Sequence, residues 1–241
     1  MLTENVFYIP QTVSTNVLCW KMLKERDIPE GFVVVADYQT AGKGQAGNSW
    51  ESARGKNLLF SMVLYPHHIP IEEQFLISQA VSVGIKNVLD TVSDDITIKW
   101  PNDMYWKDSK LAGILIETSL FRGKISKAVI GVGLNVNQTE FFSDAPHPIS
   151  LKQIAGKSFN RKKLLHRIVA SILEVYGQWE SEKIRSVYAQ SLYRKDGYNL
   201  YQAGTEIFRA KISRIYPDGA LELETEKGTS AKYYFKEVKF L

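Results

Sequence analysis

The chain is short of cysteine, of clustered positive charge and of long apolar runs. One cysteine, Cys19, among 241 residues excludes an internal disulfide framework and suits a reducing compartment. A catalytic thiol needs an activating partner, so Cys19 reads as an apolar position buried on a helix. No apolar run approaches the roughly 20 residues of a membrane span, and no signal-peptide pattern opens the chain. The expectation is a soluble cytoplasmic protein without a membrane partner. The net charge of +4 comes without a lysine–arginine cluster or basic tail. That argues against nucleic acid and fits an anionic ligand or an acidic protein partner. His67-His68 could bind metal, but no third ligand is spaced for zinc. Internal repeats and low-complexity segments are absent too.

What is present is an ordinary globular composition, long enough for one domain or for a large one plus a small one. Val6 to Ile9 reads as a short strand. Ser14 stands where an N-cap would open a helix reaching about Arg26. Phe32 to Tyr38 and Leu58 to Leu64 read as strands. Pro70, with Glu72 and Glu73, predicts a helix running to about Leu89. Ile96 to Trp100 is a strand stopped by Pro101. Met104–Trp106 and Leu111–Leu120 form a hairpin around Lys107-Asp108-Ser109, and Lys127 to Val136 adds another strand. Asn160 caps a long helix with Leu164, Leu165, Ile168, Ile172, Val175, Tyr176 and Trp179 on one face.

The last fifty residues change to period 2. Phe208, Ala210 and Ile212 alternate with Arg209, Lys211 and Ser213, and Leu221 and Leu223 with Glu222 and Glu224. Pro217-Asp218-Gly219 and Lys227-Gly228 supply turns. Tyr233-Tyr234-Phe235 reads as core of this unit. The expected architecture is α+β: a mixed β-sheet with packed helices over residues 1–189, then a small β-barrel-like domain over 190–241.

Gly42-Lys43-Gly44-Gln45-Ala46-Gly47 matches G-x-G-x-x-G, the dinucleotide spacing. A strand precedes it, but no helix follows: Asn48 to Gly55 is poor in helix formers and leads into the next strand. The dinucleotide, kinase and Walker readings all fail on context. A glycine-rich loop between strands remains, carrying one cation and ending at Trp50. Its backbone can approach a ligand closely or nest an anion; equally, it can be a plain surface loop.

Three further stretches carry chemistry. Ser14-Thr15-Asn16 can cap a helix or offer hydroxyls to a ligand. Lys99-Trp100-Pro101-Asn102-Asp103 is good turn chemistry, or an amide and a carboxylate placed for Mg²⁺ and a nucleotide. Lys110-Leu111-Ala112-Gly113-Ile114-Leu115 puts a cation at the mouth of an apolar strand, where it can clamp a carboxylate or phosphate. Gly131-Val132-Gly133-Leu134-Asn135 follows, and glycines inside a strand imply close backbone approach by something.

Taken together and in this order, these stretches resemble the biotin protein ligases over essentially the whole chain. K-W-P-N-D followed by K-L-A-G-I-L is the specific part. The resemblance implies a class II synthetase-like biotin–lipoate ligase fold with a C-terminal SH3-like barrel. It implies activation of biotin by ATP with Mg²⁺ to biotinyl-5′-AMP, then transfer to a lysine of a biotin carboxyl carrier domain. By position, Ser14, Thr15, Asn16, Gln39, Gly42, Lys43, Gly44, Gln45, Gly113 and Gly131 would form the biotin pocket. Lys110 would bridge the biotin carboxylate and the α-phosphate, with Lys43 assisting. Trp50, Lys99, Asn102, Asp103 and Asn135 would serve the nucleotide, Asp103 also the metal. No residue need act as nucleophile. Family members often pair through an exposed sheet, which implies a possible homodimer.

Two departures from the family pattern stand out. The family loop commonly reads G-R-G-R-x-G; here Lys43 and Gln45 replace the arginines, and lysine lacks the guanidinium fork. Some members also carry an N-terminal helix-turn-helix domain; S-T-N at Ser14 leaves no room for one, so a monofunctional ligase without nucleic-acid binding is expected. The alternatives are a lipoate or octanoate ligase of the same fold, and a non-catalytic biotin or adenylate sensor or adaptor.

Overall fold

A computed structural model of the chain describes residues 5–142, 147–178 and 180–241, the Ala46 side chain excepted. Trp179, expected on the long helix, lies outside the described residues. The first layer is a seven-stranded sheet in the order β1-β2-β3-β7-β6-β5-β4. Its strands are β1 (Val6–Ile9), β2 (Val33–Ala36), β3 (Leu58–Leu64), β4 (Ile96–Lys99), β5 (Asp103–Trp106), β6 (Ser109–Phe121) and β7 (Lys124–Leu134). Only β1 and β2 run parallel, which is what the intervening helix α1 (Thr15–Glu25) permits; the other neighbours are antiparallel.

Both faces of the sheet are covered, so β3 is buried along its whole length. On one face, Cys19, Met22 and Leu23 of α1 pack on Val34, Val63 and Val129. The other carries α2 (Phe75–Leu89) and α4 (Arg161–Gln178), whose apolar stripes meet Phe60, Met62, Ile130 and Val132 in the main core. Asn160 caps α4 as expected, its Oδ1 accepting from Lys163 N at 2.9 Å. Short α3 (Leu151–Ala155) opens on a Ser150/Gln153 capping box. Helix α5 (Ser181–Gln190) runs into the β4 edge, where Ile98 N donates to Ser191 O at 2.8 Å. That contact occupies an edge that would otherwise be open.

The C-terminal unit is a five-stranded antiparallel sheet, β11-β10-β9-β8-β12. It comprises β8 (Asn199–Ala203), β9 (Glu206–Ile215), β10 (Leu221–Thr225), β11 (Ser230–Tyr233) and β12 (Lys239–Phe240). The Pro217-Asp218-Gly219 turn docks it on the main layer. Trp100 Nε1 donates to Gly219 O at 2.9 Å. Gly219, at φ +91°, lies so close to Phe75 that a Cβ would stand 2.7 Å from the ring. Tyr201, Ala210, Leu221 and Leu223 join the same buried cluster as the main sheet.

Three expectations need correction. The segment after Pro70 is first a single 3-10 turn, Ile71–Glu73, and α2 begins only at Phe75. The strand expected over 32–38 is four residues, because Asp37 onward leaves the sheet for the glycine loop. Tyr234 and Phe235 are 48% and 43% exposed; only Tyr233 packs on the core. No helix among the described residues is long and apolar enough to cross a membrane.

Candidate functional site

The site follows from the register of three strands. Gly113 pairs with Gly133 and Leu115 with Gly131, while Ser61 flanks Gly131 from β3. Residues paired this way share a face, so three glycines line up on the α1 side of the sheet. They leave a cavity of about 120 Å³ between the sheet, the N-terminus of α1 and the glycine loop.

At the inner end stand Ser14, Thr15, Asn16 and Gln39, all lining the cavity. Ser14 occupies the N-cap position with extended backbone, yet its side chain caps nothing. Its hydroxyl therefore does not act as the cap, and it lines the cavity. Gln39 Oε1 accepts from Thr15 N at 2.7 Å, with Thr15 Oγ1 at 3.1 Å. That fixes the Gln39 amide and leaves its Nε2 donor without a partner among the described residues.

The glycines do accommodate a close neighbour, but it is the protein itself. A Cβ on Gly131 would stand 2.9 Å from Asn16 Cγ and nearer still to Oδ1; on Gly133 it would stand 2.6 Å from Trp50 Nε1. The Trp50 indole thus lies across Gly113 and Gly133. Its buried Nε1 has no hydrogen-bond partner among the described residues, which marks a donor waiting for an acceptor.

At the outer end, Lys110 heads β6 and Asp103 heads β5, and their side chains form an ion pair at 2.5 Å. Both line the cavity and both are partly exposed. Lys110 Nζ also sits 5.9 Å from the centre of a Trp50 ring. The glycine loop closes the mouth. Gly42 O accepts from Trp50 N at 2.9 Å, Lys43 bridges to Ser49, and Gly44 N donates to Asn48 O at 2.6 Å. Lys43, Gly44 and Gln45 line the cavity. Gln45 Nε2 is engaged with Asn102 Oδ1 at 2.9 Å and Ile114 O at 3.3 Å. The far end of the loop is tied down by buried Gln138, whose Oε1 accepts from Ala53 N and Asn57 Nδ2.

Of the expected site residues, four stand apart from the cavity wall. Gly42 shapes the loop: a Cβ there would lie 2.9 Å from Trp50 O. Asn102 is buried and faces an adjoining cleft with Pro101, Ile116 and Phe235. Asn135 is buried and gives its Nδ2 to Ile149 O at 3.1 Å. Lys99 points into an aromatic cluster, 3.2 Å from Tyr105 Oη and 4.7 Å above that ring; burial lowers its pKa, partly opposed by Asp103. Sequence reasoning missed Ile114, Leu115 and Val132 in the wall, Asn48 and Ser49 at the mouth, and Phe235. Phe235 comes from the C-terminal unit and meets Trp100 edge-on at 6.4 Å.

A polar inner end, a narrow apolar-walled middle and a cation at the outer end suit an elongated acid bound with its carboxylate toward Lys110. Comparison with known proteins gives the family and the fold. Residues 8–135 match the biotin/lipoate A/B protein ligase family. The chain is 30% identical over 223 residues to the bifunctional ligase/repressor BirA of Bacillus subtilis, covering 88% of this chain and 67% of that one. It is 30% identical over 181 residues to the biotin–[acetyl-CoA-carboxylase] ligase of Mycobacterium tuberculosis, covering 72% and 64%. Its fold matches the biotin protein ligase from Aquifex aeolicus in complex with biotin and ATP, with TM-score 0.80 and 24% identity over 99% and 100% of the two chains.

Proposed function

The chain belongs to the biotin/lipoate A/B protein ligase family, and from that premise we propose how its residues carry out biotin–protein ligation. The protein is a ligase that joins biotin to protein at the expense of ATP. The biotin carboxylate attacks the α-phosphorus of ATP, the bond to the β-phosphate breaks, and pyrophosphate leaves. The amine of a carrier lysine then attacks the acyl carbon of biotinyl-5′-AMP, and AMP leaves. Both nucleophiles come from substrates, so the protein's part is to position and to stabilise charge.

The observation that supports biotin over an acid with an apolar tail is the polar inner end. Ser14, Thr15 and Gln39 line the cavity with donors and acceptors, and these would meet the far end of an acid whose carboxylate lies at Lys110. A cyclic urea uses them; an octanoyl or dithiolane end leaves them unpaired, at a cost of about 1–3 kcal/mol per buried group. At the outer end, arrival of the carboxylate and α-phosphate draws Lys110 from Asp103. Lys110 then balances the charge that builds on the phosphorus oxygens. Trp50, half-buried over the glycines, offers its ring to the adenine side and its unpartnered N–H to an acceptor. Asn102 holds Gln45, and through it the glycine loop.

Among the described residues no three metal-ligating side chains cluster, but one carboxylate, Asp103, faces the cavity. Mg²⁺ binds through one or two carboxylates plus substrate phosphates and waters, so this donor set fits an ion arriving with the triphosphate and held by Asp103. When bound, it supplies charge neutralisation on the leaving pyrophosphate. Lys43 is exposed at the mouth and forms no ion pair among the described residues, which leaves it free for phosphate. Adenylate retention then rests on Lys43 and on ordering of the loop: Lys43→Ala should speed adenylate release, and unchanged release would remove that role. The acceptor is a biotin carboxyl carrier domain.

Exchange of labelled pyrophosphate into ATP, with biotin, lipoate or octanoate in turn, tests the reading without needing the carrier. Exchange with biotin alone supports it. Exchange with lipoate or octanoate moves the chain to the sister activity, and binding of biotin without exchange makes it a sensor.

A further inference from the structure

The cavity's inner end is held from behind by two residues that do not line it, Ser61 and Glu117. Ser61 is completely buried on β3. Glu117 lies on β6, two residues beyond Leu115 and on the same face. Glu117 Oε2 accepts from Trp20 Nε1 at 3.3 Å and from Asn16 Nδ2 at 2.8 Å. An indole N–H can only donate, so this oxygen is an acceptor, and Asn16 must turn its NH₂ toward it. The second Asn16 N–H faces Leu115 O at 3.4 Å. Asn16 Oδ1 is thereby committed to the opposite side, 2.6 Å from Ser61 Oγ.

That commitment passes on. Ser61 has one proton, and Asn16 Oδ1 requires it. The single Thr15 proton is then left to Ser61 Oγ at 2.7 Å or to Gln39 Oε1 at 3.1 Å. Both hydroxyl protons are used inside the protein, so Thr15 meets the cavity with lone pairs only. Thr15 becomes an acceptor for a ligand N–H, beside the Gln39 Nε2 donor for a ligand carbonyl. Asn16 itself has no hydrogen left for a ligand; it is a brace, although it lines the cavity.

We propose that Glu117, acting through Asn16 and Ser61, is a positioning residue that sets the hydrogen-bond polarity of the acid-binding pocket and so selects an acid whose far end carries N–H groups. The inference deepens the biotin reading and rests on it. Glu117 does not touch the substrate and takes no part in adenylation at the other end of the cavity.

The test is steady-state pyrophosphate exchange by wild type, Glu117→Ala, Glu117→Gln and Ser61→Ala, each first shown to be folded by its melting transition. Glu117→Ala and Ser61→Ala should raise KM for biotin by about tenfold or more, while kcat and KM for ATP stay within about twofold. Glu117→Gln should stay near wild type, because its Oε1 still accepts from Asn16 and Trp20. Ser61→Ala keeps the question open to test if Glu117→Ala does not fold. A biotin KM within about twofold of wild type in whichever of the two alanine variants folds overturns the proposal. So does a parallel rise in KM for ATP, or a glutamine variant as damaged as the alanine one. Wild type that shows no biotin-dependent exchange overturns the ligase reading instead, and that result is visible before any variant is made.

Discussion

Gly131 and Gly133 are two residues apart on one strand and face the same cavity, yet alanine should affect them differently. Neither has a positive φ, so the backbone accepts alanine and the unfolded chain loses entropy, a gain of about 0.4–1 kcal/mol at either position. The difference lies in what the methyl meets. At Gly131 it meets Asn16, which is 3% exposed and bonded to Ser61 and Glu117. Moving Asn16 out of the way breaks a neutral hydrogen bond of about 1 kcal/mol and a charged one of about 2 kcal/mol. The net loss should be about 2–3 kcal/mol. At Gly133 the methyl meets the Trp50 indole, which belongs to a loop, is only half-buried, and has no hydrogen bond at Nε1 to lose. It can swing outward, for a net cost of about 1 kcal/mol or less. Urea denaturation of both variants reads the two values. The Trp50→Ala/Gly133→Ala double variant should show a coupling that the Trp50→Ala/Gly131→Ala pair lacks. A Gly133→Ala loss equal to or above that of Gly131→Ala would refute the reasoning.

Lys110→Ala should lower biotin-dependent pyrophosphate exchange by about 10²–10³ with a urea midpoint close to wild type, since its partly exposed ion pair contributes little; exchange within tenfold of wild type would remove its charge-stabilising role. Phe235→Ala should leave stability nearly unchanged, because the ring is 43% exposed, while raising KM for ATP or the carrier; unaltered kinetics would confine the C-terminal unit to a structural part. Burial pushes the Cys19 thiol from 9.0 up to about 12, so the folded state holds this proton more tightly than the unfolded one. The corresponding stability is present below pH 9 and is lost as pH rises from 9 toward 12. Cys19→Ala should therefore lose less stability than wild type across that interval in urea melts, and parallel pH profiles would contradict the assignment.

The strands that carry the site were readable because their residues left few alternatives. Leu58–Leu64 is apolar at every position but Ser61, and its bounds match β3; Val6–Ile9 matches β1. Helices α3 and α5 and strand β8 escaped notice. Each is short, and Ser181–Gln190 buries only Ile184 and Tyr188, too few apolar positions for a visible period. In the site, Ser14, Thr15, Gln39, Lys43, Asp103, Lys110, Gly113 and Gly131 do converge on one cavity. Lys99 does not, although it sits in the same motif as Asp103. The two are cross-strand partners on β4 and β5, but the Lys99 ammonium lies over Tyr105, Tyr193 and Phe240, an aromatic cluster assembled from segments far apart in the chain that the motif's five letters do not announce. The strand glycines announced a close approach, but not that Trp50 and Asn16 make it. Phe235 was legible only as an aromatic expected in the core of the C-terminal unit; it lines the cavity instead, in a unit docked on Trp100 and Phe75 through Gly219.

The most direct test of the account is the intact mass of a biotin carboxyl carrier domain after incubation with the protein, biotin, ATP and Mg²⁺. The account predicts that wild type adds a single biotinyl group, that a carrier with its acceptor lysine changed to arginine gains nothing, and that Lys110→Ala adds it far more slowly. A carrier left unmodified by folded protein that also fails to exchange pyrophosphate, or a protein that acylates with lipoate in place of biotin, would contradict it.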